Sequence, residues 1–248
     1  EERGETETLV CDRLGRDDRW RNLAGLEVSA IVPPERLFDF LRGNERAVST
    51  IFHMGAISDT TEADTGLLVE NNYSFSLSLW EWCAVNNVRF VYASSAATYG
   101  GGEMGFDDDG SGEALAALRP LNLYGRSKHL FDRKVAALIA NDTPRPPQWV
   151  GLKFFNVFGP NEYHKGNQKS VVATAYPAAA RSEPVRLFKS HDPRYADGGQ
   201  LRDFIWVGDC VAVMLWLLAH DEVNGLYNVG TGQARSFDDL AGALFAAL

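Results

Sequence analysis

Tyr124 and Lys128 stand four residues apart in the run Tyr124-Gly125-Arg126-Ser127-Lys128, and the serine pair Ser94-Ser95 lies upstream of them. On a helix that spacing stacks a phenol and an ammonium on one face, one turn apart. A free tyrosine ionises near pH ~10 and a neighbouring cation favours the phenolate, so Lys128 is expected to poise Tyr124 as a base near neutral pH. Oxidation of a hydroxyl to a carbonyl needs such a base. Ser95 adds a hydrogen bond to the reacting oxygen if its strand lies beside the tyrosine helix. The bland alternative is a core tyrosine next to a solvated lysine, and the surrounding elements decide between the two.

Val91-Tyr92-Ala93-Ser94-Ser95-Ala96-Ala97-Thr98-Tyr99-Gly100 reads as a buried strand breaking into a small-residue loop, which is where an open α/β sheet presents its chemistry. Pro120-Leu121-Asn122 then opens the helix of Tyr124, which runs to about Ala140. Apolar runs alternate with helical patterns along most of the chain. Strands are expected at Thr8 to Cys11, Val48 to Met54, Arg89 to Ala93 and Trp149 to Phe155, with helices near Pro34 to Leu41 and Gly66 to Asn86. This βαβα order predicts an α/β fold with a doubly wound, parallel, Rossmann-like sheet.

Beyond Gly159 the rhythm loosens into a polar loop, a helix around Ser170 to Ala180, a short apolar run Val185 to Phe188 and a charged loop Ser190 to Gln200. A strand at Arg202 to Val207, a helix at Asp209 to Ala219 and a strand at Leu226 to Val229 follow. Ser236 with Asp239 reads as a capping box for a last helix, Phe237 to Leu248. A dinucleotide-binding sheet begins with a strand and a G-x-x-G-x-x-G type turn. Gly100-Gly101-Gly102 follows the wrong strand and Gly230-Thr231-Gly232 lacks a third glycine, so the first strand and its turn are expected to lie outside these 248 residues. Both ends look cut. A piece lacking that central strand is expected to be weakly active or inactive by itself, because its neighbours expose apolar edges.

A chain that is 45% hydrophobic and 23% charged can bury one large core. Its net charge of -9 argues against a general nucleic-acid or anionic-membrane binder. Cys11, Cys83 and Cys210 are widely spaced and form no metal-type pair, so neither a disulfide framework nor a metal site is expected and a reducing cytoplasm fits. No apolar run reaches the length of about 20 residues that a membrane helix needs, and the polar start Glu1 to Thr8 is no secretory signal.

These residues resemble the extended short-chain dehydrogenase/reductase superfamily. The likeness rests on Ser94-Ser95, the Tyr124/Lys128 pair, Arg202-Asp203-Phe204 and Val207-Gly208-Asp209. Three further stretches are similar to its ADP-heptose 6-epimerase family: His53-Met54-Gly55-Ala56-Ile57-Ser58-Asp59-Thr60-Thr61-Glu62, Glu70-Asn71-Asn72-Tyr73, and Phe155 through Gly166 with its His164-Lys165-Gly166. The resemblance implies an NADP-dependent inversion of carbon 6 of ADP-glycero-manno-heptose through a transient ketone, for lipopolysaccharide core precursors. Tyr124 and Lys165 would be the two acid/base groups, Lys128 the ribose-binding lysine and Ser95 the oxygen-positioning hydroxyl. It further implies a homo-oligomer, a cofactor domain over residues 1–155 and a mainly substrate-binding part over 156–248.

Asp12 ends a strand where a carboxylate normally accepts the ribose hydroxyl of NAD. By the resemblance, Arg13 and Arg19 stand at phosphate-contacting positions, which keeps NADP in view beside NAD. Met54, Gly55, Ala56, Ile57 and Ser58 would line the cofactor, Asn71 would hold the backbone on the nicotinamide side, and Val157 and Lys165 would complete that wall. Tight helix packing is the alternative for Gly55 and Ala56, and a solvated loop for Arg13 and Arg19. Asn156, Asn167, Thr174, Phe188, Lys189, Ser190, His191 and Arg202, with Ser95, would hold the sugar nucleotide. Arg202 can grip a diphosphate through two N–H groups at once; its alternative is an ion pair with Asp203 or Asp209. Asn167 and Thr174 depart from the serine and histidine of the family. Ala96-Ala97 disfavours a dehydratase, which needs an Asp-Glu pair there, and His164-Lys165-Gly166 disfavours a UDP-galactose 4-epimerase. A non-catalytic nucleotide-binding relative would usually lose the Tyr or the Lys.

Overall fold

The structure, a computed structural model, describes residues 7–16 and 18–248; residues 1–6 of the polar start lie outside the described residues. The chain opens with β1 (Leu9–Cys11) and β2 (Ala30–Val32), then α1 (Leu37–Leu41) and β3 (Thr50–His53). Next come α2 (Thr65–Leu68), a π-helical stretch Val69–Ser74, α3 (Phe75–Asn86), β4 (Arg89–Ser95), α4 (Gly112–Ala117), α5 (Leu123–Ala140) and β5 (Trp149–Phe154). The remainder is β6 (Asn156–Phe158), α6 (Val171–Ala179), β7 (Leu201–Trp206), α7 (Val207–Ala219), β8 (Gly225–Val229), β9 (Ala234–Ser236) and α8 (Phe237–Ala246).

Four parallel strands, in the order β3-β4-β5-β8, form the central sheet. Two smaller sheets lie beside it: parallel β1-β2, and β6-β7-β9, in which β7 and β9 run antiparallel. The reason for the layering is visible in β4, whose residues are apolar on both faces. Phe90 and Tyr92 point into a core with Leu79, Trp80 and Cys83 of α3 and Phe131 and Val135 of α5. Val91 points the other way, into a core with Val150 and Leu152 of β5, Ile205 of β7 and Cys210 and Leu217 of α7. A strand buried on both sides belongs to a sheet covered by helices on both sides, so the expected doubly wound, Rossmann-like architecture is present.

The expected helix over 66–86 is interrupted by its π-helical stretch, and the capping box at Ser236 and Asp239 forms at the start of α8. Strands β2, β6 and β9 and helix α4 were not legible from periodicity, being three to six residues long. Val185 to Phe188 forms no regular element; Phe188 instead packs its ring against Phe237 at 5.0 Å. The loop over Ser190 to Gln200 is held by its own polar bonds, with Asp197 accepting from the Ser190 N–H at 2.7 Å and Asp192 pairing with Arg194.

Candidate active site

Ser95 closes β4, and Asn122 opens α5 by accepting the Gly125 N–H on its side-chain oxygen at 2.7 Å. The two ends come close because residue 125 is glycine: a Cβ there would sit 2.7 Å from the Ala97 carbonyl oxygen. At Gly100 the backbone turns at φ +67° and a Cβ would collide with the Arg119 carbonyl, so the loop after β4 folds flat against the segment leading into α5. Tyr124 is thereby brought beside Ser95, whose hydroxyl oxygen accepts the Ala97 N–H at 3.1 Å. Lys128, one turn on, is buried and donates to the Ala93 carbonyl oxygen at 2.8 Å.

The electrostatics differ from the sequence expectation. The Tyr124 phenol is raised above its ordinary value, because burial outweighs the Ser95 hydrogen bond, and Asp132 adds to the rise. The lysine is not among the causes. Lys128 itself is pulled down from 10.5 to about 8 by burial, with Asp132 opposing. His53, at the end of β3, is buried and neutral, its pKa lowered to about 3 by burial and by the Lys128 charge.

The segment after β3 carries the small residues. Met54 packs into the core beneath it, and a Cβ on Gly55 would meet no atom within 4 Å, so space is left open there rather than filled by helix packing. Asn72 grips the Ile57 peptide: its Oδ1 accepts the Ile57 N–H at 2.8 Å, and its Nδ2 donates to the Ile57 carbonyl at 2.9 Å and to Ser127 Oγ at 2.9 Å. The backbone-holding role expected of Asn71 therefore falls to Asn72. Asn71 is turned to the exposed side, where it donates to the Leu67 carbonyl at 2.9 Å. Adjacent helical residues point about 100° apart, which puts the two side chains on different sides of the coil. Ser58 reaches Gln168 at 3.1 Å.

At the end of β1 the Asp12 carboxylate accepts the Arg13 N–H at 2.7 Å and lies 3.5 Å from Arg19, which also donates to the Arg13 carbonyl. The Arg13 guanidinium pairs with Glu35. These residues fit a nicotinamide dinucleotide: a carboxylate and two guanidiniums stand at one end, and open backbone at Gly55 stands at the carboxyl ends of parallel strands. Lys128, with further N–H donors beyond the one used on Ala93, stands near the other end.

Lys165 lies on a different wall. It lines an open cleft of about 400 Å³ together with Asn156, Val157, Phe188, Phe204 and Phe237, and Tyr124 is not among the residues of that cleft. The amine is 3.8 Å from Glu162. Glu162, itself buried, staples the loop by accepting from the Gly159 N–H at 3.2 Å and from the Ser170 N–H and hydroxyl at 2.7 Å each. A neighbouring cleft shares Thr60 and Gln168 with the first and is lined by Ser58 and Asn167.

Arg202 donates to its neighbour's carbonyl at Leu201 and lies 5.8 Å from the Phe237 ring that borders the cleft. Its alternative partner Asp203 is taken instead by Thr231 and Gly232. Thr174 is exposed on α6, outside both clefts, and so are Lys189, Ser190 and His191 on their loop. Sequence reasoning missed Asn72, Glu162 and the buried pair Asp132 and Lys153. Among the described residues no group of three or more His, Cys, Asp or Glu is placed to hold a metal ion, and no helix is long and apolar enough to cross a membrane.

Comparison with known proteins agrees with this geometry. The profile of the NAD dependent epimerase/dehydratase family matches residues 2–230. The ADP-L-glycero-D-manno-heptose-6-epimerase of Nitratidesulfovibrio vulgaris is 46% identical over all of this chain and 75% of its own length. The crystal structure of the Helicobacter pylori ADP-L-glycero-D-manno-heptose-6-epimerase superposes with a TM-score of 0.75 at 30% identity, covering 96% of this chain and 72% of that one. MoeE5 in complex with UDP-glucose and NAD matches with a TM-score of 0.67 at 26% identity, covering 97% of this chain and 81% of that one.

Proposed function

The chain belongs to the NAD dependent epimerase/dehydratase family, and we propose that within it the protein inverts carbon 6 of an ADP-glycero-manno-heptose. The observation that carries this reading is the Ser95 and Tyr124 contact beside the buried Lys128 ammonium. It places a buried phenol, which can give its proton to a carbonyl oxygen and take one back as phenolate, next to the serine that fixes that oxygen. A nicotinamide cofactor, when bound, supplies a hydride acceptor that can give the hydride back.

Burial holds Tyr124 as the neutral phenol, so it is the proton donor when the ketone is reduced and takes the hydroxyl proton only once ionised, while Ser95 fixes the oxygen. Lys128 holds its charge beneath the phenol and, through its remaining N–H donors, has bonds to offer a ribose. The ketone so formed reorients in the cleft and accepts hydride on its other face, where Lys165 supplies the proton to the oxygen. Two proton donors on different walls suit a reaction that approaches one carbon from both sides. Asn156 and Phe188 line the cleft, Arg202 lies behind its Phe237 ring, and the three would seat the sugar nucleotide, Arg202 on its diphosphate. Residues beyond 155 thus supply mainly the substrate side and those before it the cofactor side.

NADP is the proposed cofactor, supported by the Arg19 guanidinium beside Asp12 and the Arg13 guanidinium held nearby on Glu35, although the Asp12 carboxylate also offers an acceptor for the ribose of NAD. The same reading puts the protein in the cytoplasm, as a homo-oligomer. The three cysteines are free thiols, which suits a reducing compartment, and Val211 and Trp216 leave apolar surface on α7 for a neighbouring copy.

Incubating the protein with ADP-D-glycero-β-D-manno-heptose and, separately, with UDP-galactose tests the assignment. Appearance of the carbon-6 epimer, resolved by NMR, is expected. Interconversion at carbon 4 of the galactose nucleotide, or no turnover of either compound with cofactor bound, would overturn it.

A further inference from the structure

Beneath the Ser95 and Tyr124 pair lies a fully buried acid and base that the mechanism above does not use. Asp132 follows Lys128 by one turn on the inner face of α5. Its carboxylate accepts from Ser94 Oγ at 2.6 Å, from Lys153 Nζ at 3.1 Å and from Tyr92 Oη at 3.2 Å. Lys153 also donates to Thr98 Oγ1 at 2.6 Å, and that hydroxyl donates to the Ser95 carbonyl at 2.8 Å. Ser94 and Lys153 are register partners across β4 and β5. One carboxylate therefore ties three elements together at the level of the reacting serine, and both sides of Ser95 are fixed through it.

We propose that Asp132 is a positioning residue for the reaction: it locks α5 against the carboxyl ends of β4 and β5, and it presents its charge to the Lys128 ammonium one turn away. The proposal rests on the epimerase reading for its consequence but not for its geometry. A buried ion pair rarely gains stability over apolar residues of the same shape, because desolvating two charges offsets their attraction. A purely structural cross-link between helix and sheet could be made from leucine and valine. What an apolar replacement cannot supply is a negative charge facing a lysine from which burial removes protons.

The charged and titratable groups around the pair can be named. Asp132 is faced by Lys153 on β5, by Tyr92 on β4, by Tyr99 in the turn after β4, and by Tyr124, Lys128 and His129 on its own helix. Lys128 is faced by Asp132 and by His53 on β3. Since His53 is neutral above pH about 3, Asp132 is the fixed charge acting on Lys128 at working pH.

The sign of the pH effect follows. Lys128 holds its proton less tightly folded, at about 8, than its ordinary 10.5, so between these values the unfolded chain binds more protons and stability rises with pH. Removing the Asp132 charge should lower the folded value further and start that rise earlier.

The test compares the intact chain with Asp132→Asn and, because the single change strands the Lys153 charge and can prevent folding, with the double variant Asp132→Asn and Lys153→Met. Urea unfolding is followed from pH 6 to 11, each profile referred to the same chain carrying Lys128→Met. The expected result is that the Lys128-linked rise begins about one pH unit or more lower in the double variant. A rise at an unchanged pH in a folded double variant would overturn the proposal.

A second arm measures turnover. If the reading of the reaction holds, kcat of the double variant falls at least about tenfold with KM little changed, since a mispositioned base affects the reacting geometry rather than substrate binding. A shifted stability profile in a chain that epimerises nothing would leave the role of Asp132 standing and remove the functional reading instead. Unchanged kcat in an active double variant would overturn the proposal.

Discussion

His53 donates a hydrogen bond to Ser76: its Nε2 lies 2.8 Å from Ser76 Oγ, and that hydroxyl gives its own proton to the Asn72 carbonyl at 2.9 Å. The proton between the two side chains must then come from the ring. His53 is accordingly neutral with its hydrogen on Nε2, and the Asn72 turn is anchored to the end of β3.

This neutrality has a cost at low pH. The unfolded chain takes up a proton near 6.5, whereas folded His53 does so only at about 3. Its contribution to stability is therefore complete above pH 6.5 and is lost as pH falls from 6.5 toward 3, by up to about 5 kcal/mol. His53→Asn should flatten the urea-unfolding profile over that window. An unchanged slope would contradict the buried, neutral ring.

Asn72→Ala should release the Ile57 peptide and leave both of its polar groups without their side-chain partner. A loss of about 1–3 kcal/mol in unfolding free energy is expected per stranded group. Cofactor affinity should fall with it, measured by calorimetry. Asn71→Ala should change neither, because that side chain serves only its own helix.

Glu162→Gln replaces one carboxylate oxygen by an N–H₂ group, which then faces either the Ser170 N–H or the Gly159 N–H and the Ser170 hydroxyl. Loosening of the loop over 159–170 should cost about 1–3 kcal/mol. Lys165→Met keeps those staples and should spare stability. It is expected to slow epimerisation from one epimer more than from the other, read by starting each reaction from a single pure epimer.

Glu35 pairs with the Arg13 guanidinium and, on the proposal that the cofactor is NADP, would compete with its 2'-phosphate. Glu35→Gln should therefore tighten NADP by about two- to fivefold, as exposed ion pairs are weak, while leaving NAD affinity nearly unchanged. Equal gains for both cofactors would show that Arg13 does not discriminate between them.

The parts of this fold legible in the sequence were those with enough length to display a period. Helix α5, with Asn122 as its cap and Tyr124, Lys128 and Asp132 on its buried face, is one; β4, apolar on both sides, is another. Strands β2, β6 and β9 have three residues each, too short for alternation to register, and exist because neighbouring strands offer them bonds. Within the site, spacing gave Tyr124 and Lys128 the same helix face but not the balance of burial against charge. That balance depends on how deeply β3, β4 and α5 enclose them. Asn71 was expected from the resemblance alone, and which of two neighbouring asparagines meets the Ile57 peptide depends on how the helix is rotated against β3, which the sequence does not carry.

The stretch Val69–Ser74 carries two adjacent asparagines on different sides of one coil, Asn72 clamping the Ile57 peptide and Asn71 bonded to its own helix. Adjacent residues of a regular helix are turned by ~100°. A one-residue insertion or deletion in the turn before Asn72 would therefore swing the Ile57 clamp away from its peptide by about that angle. Length variation here would thus be read by the enzyme as a change of chemistry before it was read as a change of fold.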